Sequence, residues 1–228
     1  MLQKGFFRVK SYRPKTPLEL VFSQKTPGGF SFNVPEKYNY ITINYAGAGG
    51  QEFYIADQYN NPTWGGLFGY GRVVTKNISI QNHTITGIIG AKPVKQVGLS
   101  HIGGSGYQNG GDATRTFVNF TAGGQAGGGG GSTSVIINGT TYTAGGGAGA
   151  GYSFTFYPPG TPETPSYGLY QAGNGGGPNG GVAETATYGA SGEMKFFAGG
   201  DATDVSSWLN GDDGFVEIYA RYDPDYEQ

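Results

Sequence analysis

Hydrophobic and polar positions along this chain alternate with a period of two wherever they alternate at all. In YITINYAGAGG at 40–50, Ile41, Ile43 and Tyr45 take turns with Thr42 and Asn44, the mark of a strand with one buried face. In GDDGFVEIYARYD at 211–223, Phe215, Glu217 and Tyr219 point one way and Val216, Ile218 and Ala220 the other. Further β-rich runs are GFFRVKSY at 5–12, LELVFSQ at 18–24, FSFNVP at 30–35, VVTKNISIQ at 73–81, TITGIIGAK at 84–92 and STSVIING at 132–139. Pro14 and Pro17 set a turn between the first two, and Asn82 with His83 predicts a hairpin joining 73–81 to 84–92. No helical period appears, so the chain reads as all-β. Residues 51–72 fit neither pattern and read as an irregular, aromatic-rich insertion.

After residue 100 the alternation is broken by GGSGYQNGG, GGQAGGGGG, GGGAGAG and GNGGGPNGG. Glycine supplies 45 of 228 residues, and 30 of these lie between 101 and 200, so the bias belongs to a central region. A disordered linker is disfavoured, because 17 Tyr, 14 Phe and 2 Trp are far more aromatic surface than unfolded segments carry. Collagen is rejected for want of a strict period of three and of neighbouring proline. Lateral packing of polyglycine II segments answers the composition: without Cβ the backbones approach on every side, and each segment pairs its amides with its neighbours. The run 123–131 would then span roughly 28 Å. The expected architecture is an antiparallel β-sandwich framework with a central bundle of packed polyglycine II segments, with flexible glycine loops on a sandwich as the open alternative.

Net charge is −2, but residues 1–25 hold Lys4, Arg8, Lys10, Arg13, Lys15 and Lys25 against Glu19 alone. This asymmetry divides the chain into a basic N-terminal β arm for attachment, 1–27, and a glycine-rich domain, 28–228. The arm's charges equally suit a solvated surface. Asp223, Asp225 and Glu227 read as an acidic tail. Cysteine is absent, so no disulfide or thiolate zinc site holds the fold. Met1 to Lys4 lead into no long apolar run, and neither a secretory signal nor membrane insertion is expected.

Catalytic and cofactor motifs fail in turn. Gly175, Gly177 and Gly180 match G-x-G-x-x-G, yet Pro178 and Asn179 sit inside the match and no βαβ unit follows. His83 and His101 are too few for a metal site, and Asp201, Asp204, Asp212 and Asp213 do not follow calcium-loop order. Asn77, Asn82, Asn119 and Asn138 match the glycosylation acceptor pattern as chance would have it in a chain rich in Asn and Thr. No catalytic residue, metal, cofactor or nucleic-acid partner is expected. The positive signal is aromatic: Trp64, Phe68, Tyr70, Tyr107, Tyr152, Phe154, Phe156, Tyr157, Tyr167, Tyr170 and Tyr188, flanked by Gly, Pro, Asn, Ser and Thr. Rigid amphipathic rings in polar loops suit a receptor-binding surface and sugar faces. Shielding of the bundle ends or packing of a trimer interface explains the same rings.

Over roughly residues 28–221 the chain resembles the glycine-rich domains of bacteriophage tail fibre and tail tip adhesin proteins. FSFNVPEKYNYITINYAGAGG resembles their opening, NISIQNHTITGIIGAK their hairpin, GGGGGSTSVIINGTTYTAGGGAGAG their glycine run and short strand, and GDDGFVEIYARY their closing strand. The element order is also similar to the glycine-rich region of anaplastic lymphoma kinase, which carries cysteines. The phage resemblance implies a non-enzymatic protein of the virion tail, assembled in the host cytoplasm. Its partners would be other tail proteins and a host-surface glycan or outer-membrane protein, with a homotrimer as an open possibility. A structural virion component, such as a fibre segment, collar or decoration subunit, is the alternative. The insertion at 51–72 and the arm, with Lys4, Arg8, Lys10, Arg13 and Lys15 as its attachment residues, depart from the family pattern.

Overall fold

A computed structural model describes residues 13–56, 62–65, 69–94, 102–118, 124–156, 166–187, 194–199, 202, 208–209 and 212–226; the side chains of 54–56, 62–65, 115–118, 124–125, 154–156, 166–167 and 208–209 lie outside that description. In chain order the strands are β1 Glu19–Gln24, β2 Gly28–Asn33, β3 Tyr40–Ala46, β4 Phe53–Ala56, β5 Pro62–Gly65, β6 Gly71–Ser79, β7 Thr84–Ile89 and β8 Thr114–Val118. They continue as β9 Gly124–Gln125, β10 Thr133–Ile137, β11 Thr140–Ala144, β12 Gly151–Phe156, β13 Ser166–Gln171, β14 Met194–Phe197, β15 Trp208–Leu209 and β16 Phe215–Arg221. A 3₁₀ turn follows at Pro224–Tyr226. Strand pairing among the described residues is antiparallel, and no α-helix occurs among them.

The strands form sheets ordered β1-β16-β3-β6-β15, β11-β10-β7-β2, β14-β12-β13-β8 and β5-β4-β9. Alternation does what the sequence asks of it. Ile41, Ile43 and Tyr45 of β3, and Val216, Ile218 and Ala220 of β16, are buried on one face of the first sheet. They share one apolar core with Phe30, Ile85, Ile89, Val135, Ile137 and Ala144 of the second sheet. Burial in that core pushes the Tyr45 hydroxyl up to about 12, against the pull of Arg72.

Three expectations about local structure are corrected. β6 and β7 are not a hairpin: β6 pairs with β3 and β15, whereas β7 pairs with β2 and β10. The connection crosses between sheets because Asn138 holds it there, its Oδ1 accepting the Gln81 and Asn82 N–H groups and its Nδ2 donating to the Ser79 carbonyl. Asn138 reaches it from the two-residue β10–β11 turn, where Asn138 and Gly139 adopt φ 51° and 77°, values suited to Asn-Gly. The insertion at 51–72 contains β4 and β5 and leads into β6.

The described part of residues 1–27 is no separate arm. β1 pairs with β16, with a bulge between Leu20 and Phe22, and the Phe22 ring lies 5.4 Å from Phe30 and 4.9 Å from Phe32. Its Glu19 Oε2 accepts the Tyr38 hydroxyl. The acidic end is likewise structural. Asp223 is fully buried and pairs with Lys15 and Arg221, each at 2.7 Å.

The glycine segments are joined by backbone hydrogen bonds in more than one plane. Ala48 donates to Gly131, Gly130 to Gly147, and Gly147 to Ala48, each at 2.9 Å, so three segments bond around a closed triangle. The segment at 126–131 has neighbours on several sides: Gly127 donates to Ala150, Gly129 to Gly111, Gly130 to Gly147 and Gly131 to Ala91, at 2.8–3.0 Å. A sheet strand has two such neighbours; this segment has more. Its glycines serve close approach, since a Cβ on Gly129 would fall on the Asn174 carbonyl, inside the 3.0 Å that real Cβ contacts respect. Left-handed backbone is not their purpose, as Gly129 has no positive φ.

Candidate functional site

β12 carries aromatic residues at alternate positions, and β13 and β14 add Tyr167, Tyr170, Phe196 and Phe197, so cross-strand register decides which rings meet. Tyr152 pairs with Tyr170 and with Phe196, and Phe154 with Met194. Tyr152 and Tyr170 stack at 4.2 Å with an interplanar angle of 11°, and both are buried. Phe53 of β4 packs on Tyr152 at 5.1 Å and stacks on Phe196 at 5.3 Å and 8°. The four rings form a chain that begins among buried alanines, Ala126, Ala148, Ala150 and Ala172, and ends in solvent. Phe196 is 59% exposed and Met194, two residues along β14, 45%.

This placement corrects the loop assignment of the rings. Tyr152 and Tyr170 are strand residues at 1% and 0% exposure, stacked on each other within the cluster of Phe53 and the buried alanines. Trp64 lies in β5 opposite Tyr54, and Phe154, Phe156 and Tyr167 lie in β12 and β13, all four with side chains outside the described set. Phe68, Tyr157 and Tyr188 lie outside the described residues altogether. Tyr70 is half-buried, and its carbonyl accepts the Ala202 N–H. Tyr107 is exposed as the sequence suggests, at 46%, its N–H held by the Ser132 carbonyl. Sequence reasoning missed Phe196 and Met194; the run MKFF was there to find, but nothing in it says which residues face solvent.

The basic residues of the N-terminus also find internal work. Lys4, Arg8 and Lys10 lie outside the described residues. Arg13 sits 4.3 Å over the Tyr222 ring, and Lys15 bonds the buried Asp223. Both side chains nevertheless stay exposed, Lys15 at 44%. Burial pulls the Asp223 carboxyl up, but the Lys15 ammonium, the Asp225 N–H and the Arg221 guanidinium outweigh it and hold the group below its ordinary value. Among the described residues no group of His, Cys, Asp and Glu is arranged to hold a metal ion. His83 is engaged with the Val34 carbonyl through Nδ1 at 2.9 Å. No described helix is long and apolar enough to cross a membrane. Neither a protein-family model nor a curated protein matches this chain.

Proposed function

We propose that the chain is a non-enzymatic receptor-binding domain of a bacteriophage tail fibre or tail tip, seated among other tail proteins and engaging a host-surface glycan or outer-membrane protein. The architecture we infer for it is an antiparallel β-sandwich framework carrying a bundle of packed polyglycine II segments. The core shared by two sheets supports the first part of that inference, and the many-sided bonding of the segment at 126–131 supports the second.

The observation that carries the functional reading is the ring chain from Tyr170 to Phe196. An exposed Phe196 and Met194 are backed by Phe53, Tyr152 and Tyr170, which are fixed in turn against the glycine segments. A large apolar ring held in one orientation loses little entropy when a partner covers it. The surface therefore suits recognition rather than chemistry.

One observation favours the alternative of a structural virion component. Among the described residues β14 is an edge strand of its sheet, and an open strand edge is where a neighbouring copy adds its own strand, as in a homotrimer. The experiment replaces Met194 and Phe196 together with serine. Under the receptor reading, binding to host cells is lost while the melting temperature moves by only about 2–4 °C, the shift that 1 kcal/mol commands in a domain of this size. Loss of subunit assembly with unchanged cell binding would give the edge to neighbouring copies instead.

A further inference from the structure

The outer face of the five-stranded sheet has chemistry that the aromatic edge does not use. Along β16, Phe215, Glu217 and Tyr219 stand opposite the buried Val216, Ile218 and Ala220, at half-buried positions. Register sets Asn44 beside Glu217 and Thr42 beside Tyr219, with Thr75 and Asn77 of β6 next in the same rows. Thr75 Oγ1 donates to Asn44 Oδ1 at 2.8 Å, Thr42 Oγ1 to Asn77 Oδ1 at 2.7 Å, and the Tyr219 hydroxyl to Glu217 Oε2 at 3.2 Å. The carboxylate of Glu217 raises the Tyr219 hydroxyl above its ordinary value, which keeps it a donor. At the Phe215 end the face dips into a cleft of about 310 Å³ lined by Lys25, Asp212, Asp213, Phe215 and Glu217.

We propose that this cleft, with the row of polar side chains leading from it, binds a non-acidic oligosaccharide. Its volume lies at the lower end of the roughly 300–1,000 Å³ typical of ligand sites, so it admits a terminal sugar while the face beyond takes the next units. Phe215 offers an apolar ring to a sugar's C–H face, and Glu217 and the Asn44 amide offer acceptor and donor to its hydroxyls. The Thr75–Asn44 and Tyr219–Glu217 bonds orient these groups before a ligand arrives, which lowers the entropy lost on binding. Charge narrows the class. Three carboxylates, Asp212, Asp213 and Glu217, line the cleft with Lys25, and the Lys92 ammonium pairs with Asp212 at 3.9 Å, so among the described residues negative charge prevails and uronic or sialic acids are repelled. The outer face of the β11-β10-β7-β2 sheet serves as contrast. Its register rows bring Thr141, Ile136, Thr86 and Ser31 together with neither ring nor carboxylate.

The inference does not rest on the virion reading or on the Phe196 edge. Its test is an array of neutral hexose and N-acetylhexosamine oligomers, with polyuronate and sialylated oligomers as acidic comparators, followed by calorimetric titration of the best neutral oligomer. At least one neutral oligomer binds and the acidic ones do not. Phe215→Ala and Glu217→Ala each weaken binding by at least about tenfold, as truncation of a central anchor does. Thr86→Ala and the Met194, Phe196 serine pair leave it unchanged. Should Phe215→Ala fail to fold, Glu217→Ala, on the outer face, still decides the matter. Silence of every neutral oligomer, stronger binding of acidic ones, or undiminished binding by Glu217→Ala would overturn the proposal, whatever the cell-binding experiment returns.

Discussion

Around Ile43 the chain packs side chain against side chain; around Gly129 it packs backbone against backbone. Ile43 is fully buried among Ile41, Ile218, Val135 and other branched apolar residues of two sheets. At Gly129 the neighbours are the carbonyls and amides of Gly104, Gly111 and Asn174. A core of side chains can shift rotamers when one member shrinks, so its losses are graded. A lattice of hydrogen-bonded backbones has no such slack, because moving one segment breaks bonds to several others at once. Order in the two regions thus answers to different physics: apolar area in one, satisfaction of buried amides in the other.

The sharpest way to break that contrast is Gly129→Val, read by thermal melting and soluble yield. The added Cβ meets the Asn174 carbonyl at once, and relief requires separating segments whose amides are then buried unpaired at about 1–3 kcal/mol each. We expect a loss above about 5 kcal/mol, outside the range of ordinary single substitutions. Gly129→Ala should be nearly as harmful, since Cβ itself is the obstacle. A parent-like melt for either variant would refute the backbone account. Next comes Ile43→Ala, expected to cost about 2–5 kcal/mol, with Ile43→Val near 0.5–1.5 kcal/mol. The informative quantity is the shape of each series: stepped at 43, flat and severe at 129.

The same contrast explains what could be read in the sequence. Period-two alternation located β3 and β16 and, in β3, the side that is buried, because side-chain burial writes itself into residue type at each position. Glycine runs announce that backbones come close, yet carry no code for which backbone they meet: nothing in GGGGG says that Gly129 bonds Gly111 while Gly130 bonds Gly147. The false hairpin at 82–83 has a similar cause. Two strands with a polar dipeptide between them look joined, and the side chain that parts them, Asn138, lies more than fifty residues away. Among the rings, composition gives their number but not which are covered, since Tyr152 and Tyr170 stack on one another through their cross-strand register.

The smallest expected effect concerns neither region's interior but the clasp at its border, where Lys15 and Arg221 hold Asp223. Asp223 also meets Asn39 through the backbone, its N–H donating to Asn39 Oδ1 and its carbonyl accepting Asn39 Nδ2, so the carboxylate is one strand of a larger tie. Because its folded-state pKa is lowered, the clasp stabilises the fold fully above the unfolded carboxylate value of 3.8 and loses that contribution as pH falls through the lower, folded value. Acid should therefore loosen the joint between residues 13–18 and β16 before the apolar core responds. Asp223→Asn removes the titrating group while keeping the backbone bonds to Asn39. Denaturant melts of parent and variant, followed from pH 7 to pH 2, should differ at the neutral end and converge at the acid end. A gap of constant width across that range would show that the Asp223 carboxylate does not titrate as the clasp requires, and that Lys15 and Arg221 are held by packing instead.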